Sequence, residues 1–325
     1  MDNSPNRVLV LDMDNPIARH ISLRLLKAGY SVVATGTSEK NLGTLKSFES
    51  FTFYRLDISV KPIIRSYIYG IGTIIFFDRS SKILQKIDNL YNSIMHLKSA
   101  IPRLIFISDS RVFQWKPDKI WSEQDAICPD TEIGNLFCGV ETIINNYATT
   151  LQNSTCIIRI PRVVDQILID EGFLKLIDLL ERNFRIDYES SRNISVQLVN
   201  LDYLMEVIHK LFETSWDGIE IFHVASLTQK FLHLLENMKA PLDSKSYIIK
   251  DNVILRAVNT VLTISPLVQK KWALTRQVGS VEFLQQPILD TNYFNSMYAL
   301  KELDIRRFLK SFPRKYNQSA KDILV

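Results

Sequence analysis

Glycine is scarce in this chain, and it is missing altogether from the first part of the sequence. Only 10 of the 325 residues are glycine, where about 7% would be usual. The first of them is Gly29. Nucleotide-binding α/β proteins place glycines in the turn after their first strand, where they permit a tight turn and a close approach to phosphate. A glycine-rich phosphate loop is therefore excluded from the segment that precedes Gly29.

Cysteine and histidine are also sparse, and neither forms a metal-binding pattern. The three cysteines, Cys128, Cys138 and Cys156, are an odd number without metal-ligand spacing. This usage predicts a reducing compartment and ordinary buried thiols. The histidines show no HExxH and no other ligand spacing; they are His20, His96, His209, His223 and His233. The sequence thus predicts no metal site.

The chain lacks long hydrophobic runs and a strong net charge. No apolar run approaches the ~20 residues that cross a bilayer, and the N-terminal MDNSPNR has no hydrophobic signal core. We therefore expect no membrane span and an intracellular, cytoplasmic protein, or one inside an organelle without an evident leader. The net charge of +4 is too small to indicate a nucleic acid as partner.

Basic residues are concentrated at the end of the chain. Residues 301–325 hold seven Lys or Arg and three Asp or Glu. Such a segment is typical of a solvated, charged helix, and it is also compatible with a tail that binds a partner protein.

The first half of the chain alternates short strands with amphipathic helices. One helical segment begins at Pro16 and stops at Gly29, which are favoured first-turn and end residues. The strand-like runs are dense in Val, Ile and Phe, as strands buried on both faces require; they are Val8–Leu11, Ser31–Ala34, Phe51–Tyr54, Thr73–Phe77, Leu104–Ser108 and Thr155–Ile160. This alternation predicts an α/β fold with a doubly wound, parallel, Rossmann-like sheet.

The alternation loosens after Pro161, where the remainder of the chain is richer in helical patterns. We expect residues 1–165 to form a Rossmann-like, nucleotide-binding-type domain to which residues 195–226 contribute. Residues 166–194 and 227–325 are expected to form a smaller, helix-rich domain of the substrate-binding type that ends in the basic segment.

Several segments, taken in order, resemble the motifs of one enzyme family. The strand–turn–helix–strand of residues 7–38, followed by FYRLDIS and TIIFFDRSS, matches the cofactor-binding half. Four further motifs follow in order. The serine motif corresponds to RLIFISDSRVFQ, and the tyrosine–lysine motif corresponds to WSEQDAICPDTEIGNLFCGVETIINNY. The substrate-loop motif corresponds to CIIRIPRVVDQ, and a later motif corresponds to VQLVNLDYLMEVIHKLFET. This composite resembles the extended short-chain dehydrogenase/reductase family, which contains nucleotide-sugar epimerases, dehydratases and reductases. The resemblance implies a Rossmann fold, an NAD(P) cofactor and a nucleotide-sugar ligand.

The resemblance places the cofactor-binding positions on unusual residues. The three phosphate-loop glycines of the family fall on Asp12, Asn15 and Ala18, and its adenine-contacting acid falls on Asp57. Carboxylates beside a helix N-terminus stabilise the helix and oppose the negative charge of a pyrophosphate. We therefore expect Asp12 or Asp14 to cap the first helix, and the protein to bind NAD(P) weakly or not at all.

The second strand is followed by ATGTSEK, which carries no acid for the ribose of NAD directly after the strand. Lys40 could meet the 2′-phosphate of NADP there, because a basic residue at this place accommodates that group. A lysine at the solvated start of a helix has the same sequence pattern.

The catalytic positions implied by the resemblance are hydrocarbon residues. The family's acid/base tyrosine falls on Ile133, and the lysine four residues later falls on Phe137. None of the twelve tyrosines has a lysine four residues later. Ser110 falls at the position of the serine that polarises the substrate oxygen, although a serine at a strand end is also a common turn residue.

The substrate side of the family's site corresponds to Glu123, Arg159 and Arg162 in this chain. Two arginines beside a cleft can hold a diphosphate or a carboxylate in bidentate fashion. A structural ion pair with an acid such as Asp165 is an equally good interpretation of the two arginines. Glu123 and Glu141 match motif positions of the family that look structural rather than catalytic.

Three functions follow from this sequence. The leading hypothesis is a catalytically degenerate relative of the family that acts as a binding, scaffold or regulatory subunit, alone, as a homo-oligomer or with a protein partner. The alternative is an active NAD(P)-dependent epimerase, dehydratase or reductase in which Asp12, Asp14, Ser110 or Glu123 supplies the acid/base group. The third is an accessory assembly subunit of a larger complex, suggested by the basic C-terminal segment and the apolar VILRAVNTVLTISPLV.

Overall fold

The fold is described by a computed structural model of the chain. The described residues are 4–63, 65–95, 97, 101–165, 173, 176–177, 180, 185–187, 194–239, 247–249, 278–279, 285–298 and 300.

The described part of the chain contains strands and helices in alternation. The strands are β1 (Ser4–Val10), β2 (Ser31–Gly36), β3 (Phe51–Arg55), β4 (Ile71–Phe76), β5 (Arg103–Asp109), β6 (Ile120–Trp121), β7 (Thr155–Ile160), β8 (Arg162–Val163), β9 (Arg185–Asp187), β10 (Ser195–Val199), β11 (Ile219–His223), β12 (Leu227–Lys230), β13 (Tyr247–Ile249), β14 (Val278–Gly279) and β15 (Ile288–Leu289). The helices are α1 (Pro16–Lys27), α2 (Arg65–Ile68), α3 (Ile83–Ile94), α4 (Glu132–Leu151), α5 (Leu201–Glu213), α6 (Phe231–Lys239) and α7 (Asn292–Tyr298).

The main sheet has seven strands in the order β11-β7-β5-β4-β1-β2-β3. All neighbours in it are parallel. Each of the six runs that the sequence predicted as strands lies in this sheet, so the predicted doubly wound, Rossmann-like α/β fold is confirmed. The prediction of burial on both faces was wrong for β3, which lies at the edge of the sheet and is only partly buried. The chain places β2 and β3 on one side of β1 and then returns to place β4 on the other side. The strand order therefore reverses between β1 and β4, which is where α/β proteins of this kind bind ligands.

Both faces of the main sheet are covered by helices. Alternate residues of a strand point to opposite faces, and β1 shows this directly. Val8 and Val10 belong to an apolar cluster that includes residues of α1 and α5, whereas Leu9 and the following Leu11 belong to a second cluster with residues of α3 and α4. The two clusters make a three-layer core, and the sheet forms its middle layer.

Helix α1 begins and ends as its sequence predicted. Pro16 occupies the first turn, and Asn15 is the N-cap, whose side chain accepts a hydrogen bond from the Ile17 N–H at 2.9 Å. Beyond the helix, Gly29 has a φ of +88°, a conformation that glycine adopts without strain. The expectation that Asp12 or Asp14 caps this helix is wrong, because Asn15 takes that position.

Smaller sheets lie beside the main one. The strands β12, β10 and β8 form one, β13, β9 and β14 form another, and β15 pairs with β6. The proposed division into residues 1–165 with 195–226 and residues 166–194 with 227–325 stays a prediction, since much of the second group lies outside the described residues. Within the described ranges, no helix has the length and apolar character that a membrane crossing needs.

Candidate functional site

A pocket of about 420 Å³ opens at the carboxyl ends of the strands on both sides of the reversal between β1 and β4. Its size lies within the ~300–1,000 Å³ typical of small-molecule sites. Segments that follow β1, β2, β3 and β4 line it, together with the start of α3; the residues used below are Asp12, Asp14, Asn15, Thr35, Thr37, Asp57, Asp78, Arg79, Lys82 and Lys86. Position and size make this pocket the candidate binding site.

The turn after β1 is tight although it has no glycine. Asp12 has a φ of +64°, in the left-handed region that most side chains avoid. Asp and Asn enter this region more readily than other non-glycine residues, so Asp12 takes over the conformational role of a glycine. The turn is closed by the Asn15 N–H, which donates to the Asp12 carbonyl at 2.9 Å, and is joined to β2 by the Met13 N–H, which donates to the Thr35 carbonyl at 2.7 Å.

The Asp12 carboxylate is paired with a lysine that sequence reasoning missed. Lys86, on α3, places its Nζ 2.7 Å from Asp12 Oδ2 and 2.8 Å from Asp78 Oδ2. All three side chains are largely buried, with 10%, 12% and 5% of the Lys86, Asp12 and Asp78 side chains exposed. The ammonium is shared between the two carboxylates, so it offsets part of the negative charge that Asp12 brings into the turn.

Ionisation of the Asp12–Lys86 pair reflects both burial and pairing. Burial raises the pKa of the Asp12 carboxyl, and the hydrogen bond from Lys86 only partly offsets this. Burial acts to lower the pKa of the Lys86 ammonium, but hydrogen bonds to Asp12 and Asp78 outweigh it and raise that pKa above its ordinary value. Lys86 thus remains a cation at neutral pH and carries a charge into the wall of the pocket.

The N-terminus of α1 offers few backbone donors to an anion. Pro16 has no N–H, and the N–H of Ile17 already donates to the Asn15 side chain. A pyrophosphate at this helix end would therefore lack the contacts that helix N-termini usually supply. Phosphate groups in this pocket have to be held by side chains.

Two buried polar atoms in the lining of the pocket lack a hydrogen-bond partner among the described residues. They are the Oγ1 of Thr35 and the Nε of Arg79. Buried polar atoms are nearly always satisfied, so these two suit a ligand that supplies them. Lys82, at the start of α3, is exposed in the same pocket. Arg79 Nη2 is paired with the buried Asp109 at 2.9 Å, and Asp109 also pairs with Arg111. One carboxylate thus serves two guanidinium groups, and Arg79 keeps a positive charge and its Nε for a ligand. Arg79 and Lys82 together form the cationic side of the site, and these residues fit a phosphorylated ligand there.

Some of the cofactor positions implied by the resemblance meet in this pocket. Asp12, Asn15 and Asp57 line it. Asp57 accepts hydrogen bonds from the N–H and Oγ of Ser59 at 2.9 and 2.6 Å, and the bond from the hydroxyl is the main cause of its lowered pKa. Ala18 instead lies in the buried face of α1, and Lys40 is exposed and is not among the pocket residues.

The positions that correspond to the family's catalytic pair lie at the start of α4. Phe137 is fully buried and contacts Phe106 with ring centroids 6.2 Å apart, and Ile133 packs against the same apolar cluster. Ser110 is also buried, in a short 3-10 helix (Ser110–Val112) that follows β5. A hydrocarbon side chain cannot transfer a proton, so neither Ile133 nor Phe137 can perform acid/base chemistry.

A glycine brings α4 close to this 3-10 helix. A Cβ added to Gly134 would lie 2.1 Å from the carbonyl oxygen of Arg111, which is part of the backbone. We expect Gly134→Ala to lower the free energy of unfolding by about 1–3 kcal/mol, because the overlap must displace one of the two segments.

Gly139→Ala, on the same helix, is the matched control. Its Cβ would lie 3.2 Å from the flexible end of Leu84, and alanine favours a helix over glycine by up to about 1 kcal/mol. Urea denaturation followed by circular dichroism measures both variants. Equal stability of the two variants would show that the close approach of α4 to the 3-10 helix at Gly134 does not affect the free energy of unfolding.

Arg159 and Glu141 form an ion pair in the core rather than a substrate site. Arg159 Nη2 lies 2.8 Å from Glu141 Oε2, and 2% and 0% of the two side chains are exposed. Ser108 Oγ donates to Glu141 Oε1 at 2.6 Å. The substrate-side prediction for Arg159 is therefore corrected: its structural partner is Glu141 on α4, and not Asp165 as the sequence suggested. The match of Glu141 to an architectural motif position agrees with this.

His223 extends the polar network from β11. Its Nδ1 lies 3.1 Å from the Trp121 carbonyl, which can only accept, so Nδ1 carries the proton and Nε2 accepts from Arg159 Nη1 at 3.3 Å. Burial, followed by the charge of Arg159, lowers the pKa of His223 to about 3. Glu123 Oε1 accepts from the His223 backbone N–H at 3.1 Å. This gives Glu123 an architectural contact, and burial raises its pKa.

Arg162 lies in β8, which pairs with β10, and it does not line the described pocket. The structure thus separates the predicted site residues into two groups. Asp12, Asn15 and Asp57 meet at the pocket, whereas Ser110, Glu123, Arg159 and Arg162 lie elsewhere. Within the part of the chain that the structure describes, no group of three His, Cys, Asp or Glu residues could hold a metal ion.

Comparison with known proteins identifies solved structures that share this fold. No family model matches the chain, and a search of curated proteins finds no match. UDP-glucuronic acid 4-epimerase from Bacillus cereus, solved in complex with NAD, matches with a TM-score of 0.70 and 16% identity over 97% of this chain and 98% of that one. At this identity the likeness establishes the fold.

Two dehydratases of the same fold give the same result. dTDP-glucose 4,6-dehydratase from Bacillus anthracis, in complex with NAD, has a TM-score of 0.72 and 10% identity over 97% of each chain. The corresponding enzyme from Streptomyces venezuelae, with NAD bound, has a TM-score of 0.70 and 14% identity over 97% of this chain and 98% of that one. The resemblance to the extended short-chain dehydrogenase/reductase family is therefore confirmed for the fold.

The prediction of no cofactor, or only weak NAD(P) binding, was wrong. These solved proteins share the fold over almost their whole length and hold NAD. The prediction rested on the missing glycines and on the negative charges of Asp12 and Asp14. Asp12 adopts the conformation of the missing glycine, and Lys86 offsets part of its charge.

Proposed function

We propose that this protein binds NAD in the pocket at the β1/β4 reversal and acts as a binding or regulatory protein. The observation that carries the proposal is the pocket itself, which places the unpartnered Thr35 Oγ1 and Arg79 Nε at the carboxyl ends of the central strands. A dinucleotide supplies both hydroxyl groups and phosphate oxygens, and these are suitable partners for the two atoms.

In this proposal the phosphates lie on the side of the pocket that carries Arg79 and Lys82. The α1 side is unsuitable because Asn15 and Pro16 leave few donors there. Lys86 is already paired with two carboxylates, so it balances charge and leaves direct phosphate contacts to its neighbours. Asp57, which follows β3 and lines the pocket, corresponds in sequence to the acid that contacts the adenine in the family that the sequence resembles, and we assign it that role here.

We further propose that the bound dinucleotide does not undergo the family's usual chemistry. Ile133 and Phe137 replace the acid/base pair, whose proton transfer contributes about 10²–10⁴-fold to a rate. The chain would then sense or store the cofactor, or present it to a partner.

The test is a titration of the purified full-length chain with NADH, followed by fluorescence, and with NAD⁺, followed by calorimetry. Saturable one-to-one binding is the expected result. Incubation with NAD⁺ and UDP-glucuronic acid, UDP-glucose or dTDP-glucose should give no product by chromatography. Absence of dinucleotide binding would remove the proposal, and turnover of any of these sugars would replace it with an enzymatic function.

A variant at the cationic side sharpens this test. We expect Lys82→Ala to weaken NADH binding roughly tenfold, since it removes a charged contact to phosphate at a partly solvated position. Lys40→Ala is the matched control, because Lys40 is exposed and lies outside the pocket wall. If both variants bind NADH like the native chain, the phosphates are not held at Lys82.

The other two hypotheses receive no specific support from the described contacts. The sequence suggested four candidate acid/base groups. Asp12 is held by Lys86, and Asp14 accepts from the Thr37 N–H. Glu123 accepts from the His223 N–H, and Ser110 is buried. The assembly hypothesis depends on residues 253–268 and 301–325, which lie outside the described residues.

A further inference from the structure

We infer that Asp14 is the residue that selects NAD over NADP in this pocket. The inference rests on the proposed function, since it concerns the ribose of the same dinucleotide. In dinucleotide-binding folds, an acid near the end of the second strand binds the ribose 2′-hydroxyl, whereas a basic residue there accommodates the 2′-phosphate of NADP. In this chain, neither an acidic nor a basic residue directly follows β2. The structure instead places the carboxylate of Asp14 beside the end of β2.

Asp14 reaches the end of β2 from the turn after β1. Its Oδ2 accepts a hydrogen bond from the N–H of Thr37 at 2.7 Å, and Thr37 directly follows the last residue of β2. Asp14 and Thr37 both line the pocket. A carboxylate has two oxygens with several acceptor positions, so Asp14 can hold Thr37 and still accept from a ribose hydroxyl.

The backbone that carries Asp14 is fixed from two sides. Arg19 Nη1 donates to the carbonyls of Met13 and Asp14, at 2.8 Å in both cases. The Met13 N–H donates to the Thr35 carbonyl in β2. These bonds join the turn to the strand, so the carboxylate is held in place before a ligand arrives and little ordering accompanies binding.

Other charged side chains near the end of β2 are less suited to the ribose. Glu39 is paired with Lys46, and Lys40 is exposed outside the pocket wall. Two cations lie near this place. Arg19 Nη1 donates to the Asp14 carbonyl at 2.8 Å but is not among the pocket residues. Arg55 Nε donates to the Thr37 carbonyl at 3.0 Å. Arg55 is exposed and is not among the pocket residues, whereas Asp14 is. Asp14 is therefore the charged side chain that lines the pocket beside the end of β2, and its carboxylate repels a 2′-phosphate.

The experiment compares the dissociation constants of NAD⁺ and NADP⁺ for the full-length native chain by calorimetry. We expect NAD⁺ to bind at least tenfold more tightly. In Asp14→Asn, we expect NAD⁺ to bind roughly tenfold more weakly, because a charged hydrogen bond is replaced by a neutral one. NADP⁺ should bind as well as before or better, so the preference falls. The asparagine oxygen keeps the bond to Thr37, and the thermal midpoint of the variant should remain close to that of the native chain.

Glu39→Gln makes the same chemical change at an exposed carboxylate outside the pocket, and it should leave the preference unchanged. Equal affinities for the two dinucleotides in the native chain, or tighter binding of NADP⁺, would overturn the inference and leave the proposed function intact. An unchanged preference in Asp14→Asn would also overturn it. If neither dinucleotide binds, the proposed function fails and this inference fails with it.

Discussion

Replacement of Lys86 by methionine should lower the free energy of unfolding by about 3 kcal/mol at neutral pH. Methionine keeps the length and unbranched shape of the side chain, so the change removes the charge and little packing. The carboxylates of Asp12 and Asp78, both within 2.8 Å of the ammonium in the native chain, would then face each other at a mostly buried place. Loss of one partner from a buried ion pair typically costs about 3–5 kcal/mol. We expect a loss at the lower end of this range, because Asp12 lines the pocket and is partly exposed to solvent.

The pH dependence of the Lys86→Met variant provides an independent readout. Two carboxylates that share a site cannot both ionise easily, so the pKa of one of them rises. A carboxyl whose folded-state pKa lies above its unfolded value adds stability at low pH and loses it as the pH rises through the folded pKa. The stability deficit of the variant should therefore be largest at about pH 7 and become smaller towards about pH 4. Urea denaturation at several pH values measures this.

Two further variants control for this result. Lys82→Met makes the same change at an exposed lysine of the same pocket and should alter stability by less than about 0.5 kcal/mol. Asp12→Asn combined with Lys86→Met should recover part of the loss, because asparagine is neutral and tolerates the left-handed conformation of residue 12. A Lys86→Met variant as stable as Lys82→Met would contradict the role assigned to the Asp12–Lys86–Asp78 cluster.

The fold was predictable because its main determinants are local. Each strand of the main sheet up to β7 is a short apolar run, and α1 has its proline and glycine at the expected ends. These signals depend on side-chain type and spacing within about fifteen residues, so they survive the loss of binding motifs.

The site was less predictable because its contacts join distant segments. Lys86 and Asp12 are 74 residues apart, and nothing local connects them. A partial signal existed: Lys86 lies three residues after Ile83 and one before Ile87, on the buried face of α3. A charged residue on such a face needs a partner. The sequence could have indicated a buried ion pair there, although not which carboxylates form it.

The ion-pair partner of Arg159 was also not predictable from the local sequence. The sequence offered a substrate contact or a pair with the nearby Asp165. The strand register places Arg159 beside Ser108 of β5, in the interior of the main sheet, where the carboxylate within reach is Glu141 of α4. Which acid meets this arginine depends on strand order and on helix position, and neither is encoded in the local spacing.

Glu141→Gln should cost about 3–5 kcal/mol of stability, which is the largest single loss that we expect in this protein. The Arg159 guanidinium would keep its charge in a fully buried place without a counter-charge, and such a loss is typical of a broken buried pair. His223, which also contacts the guanidinium, cannot take over, because an imidazole is neutral or cationic and supplies no negative charge. Two of the native contacts, from Ser108 Oγ and Arg159 Nη2 to Glu141, would each lose an ionised acceptor.

Guanidinium chloride denaturation of matched variants tests this expectation. Glu206→Gln makes the same substitution at an exposed position of α5 and should change stability by less than about 0.5 kcal/mol. Arg159→Met combined with Glu141→Gln should be more stable than Glu141→Gln alone, because it removes the uncompensated charge and leaves an apolar side chain near Phe113. If Glu141→Gln lies within about 1 kcal/mol of the native chain, or if the double variant brings no recovery, the charge of Glu141 is not what stabilises the buried guanidinium.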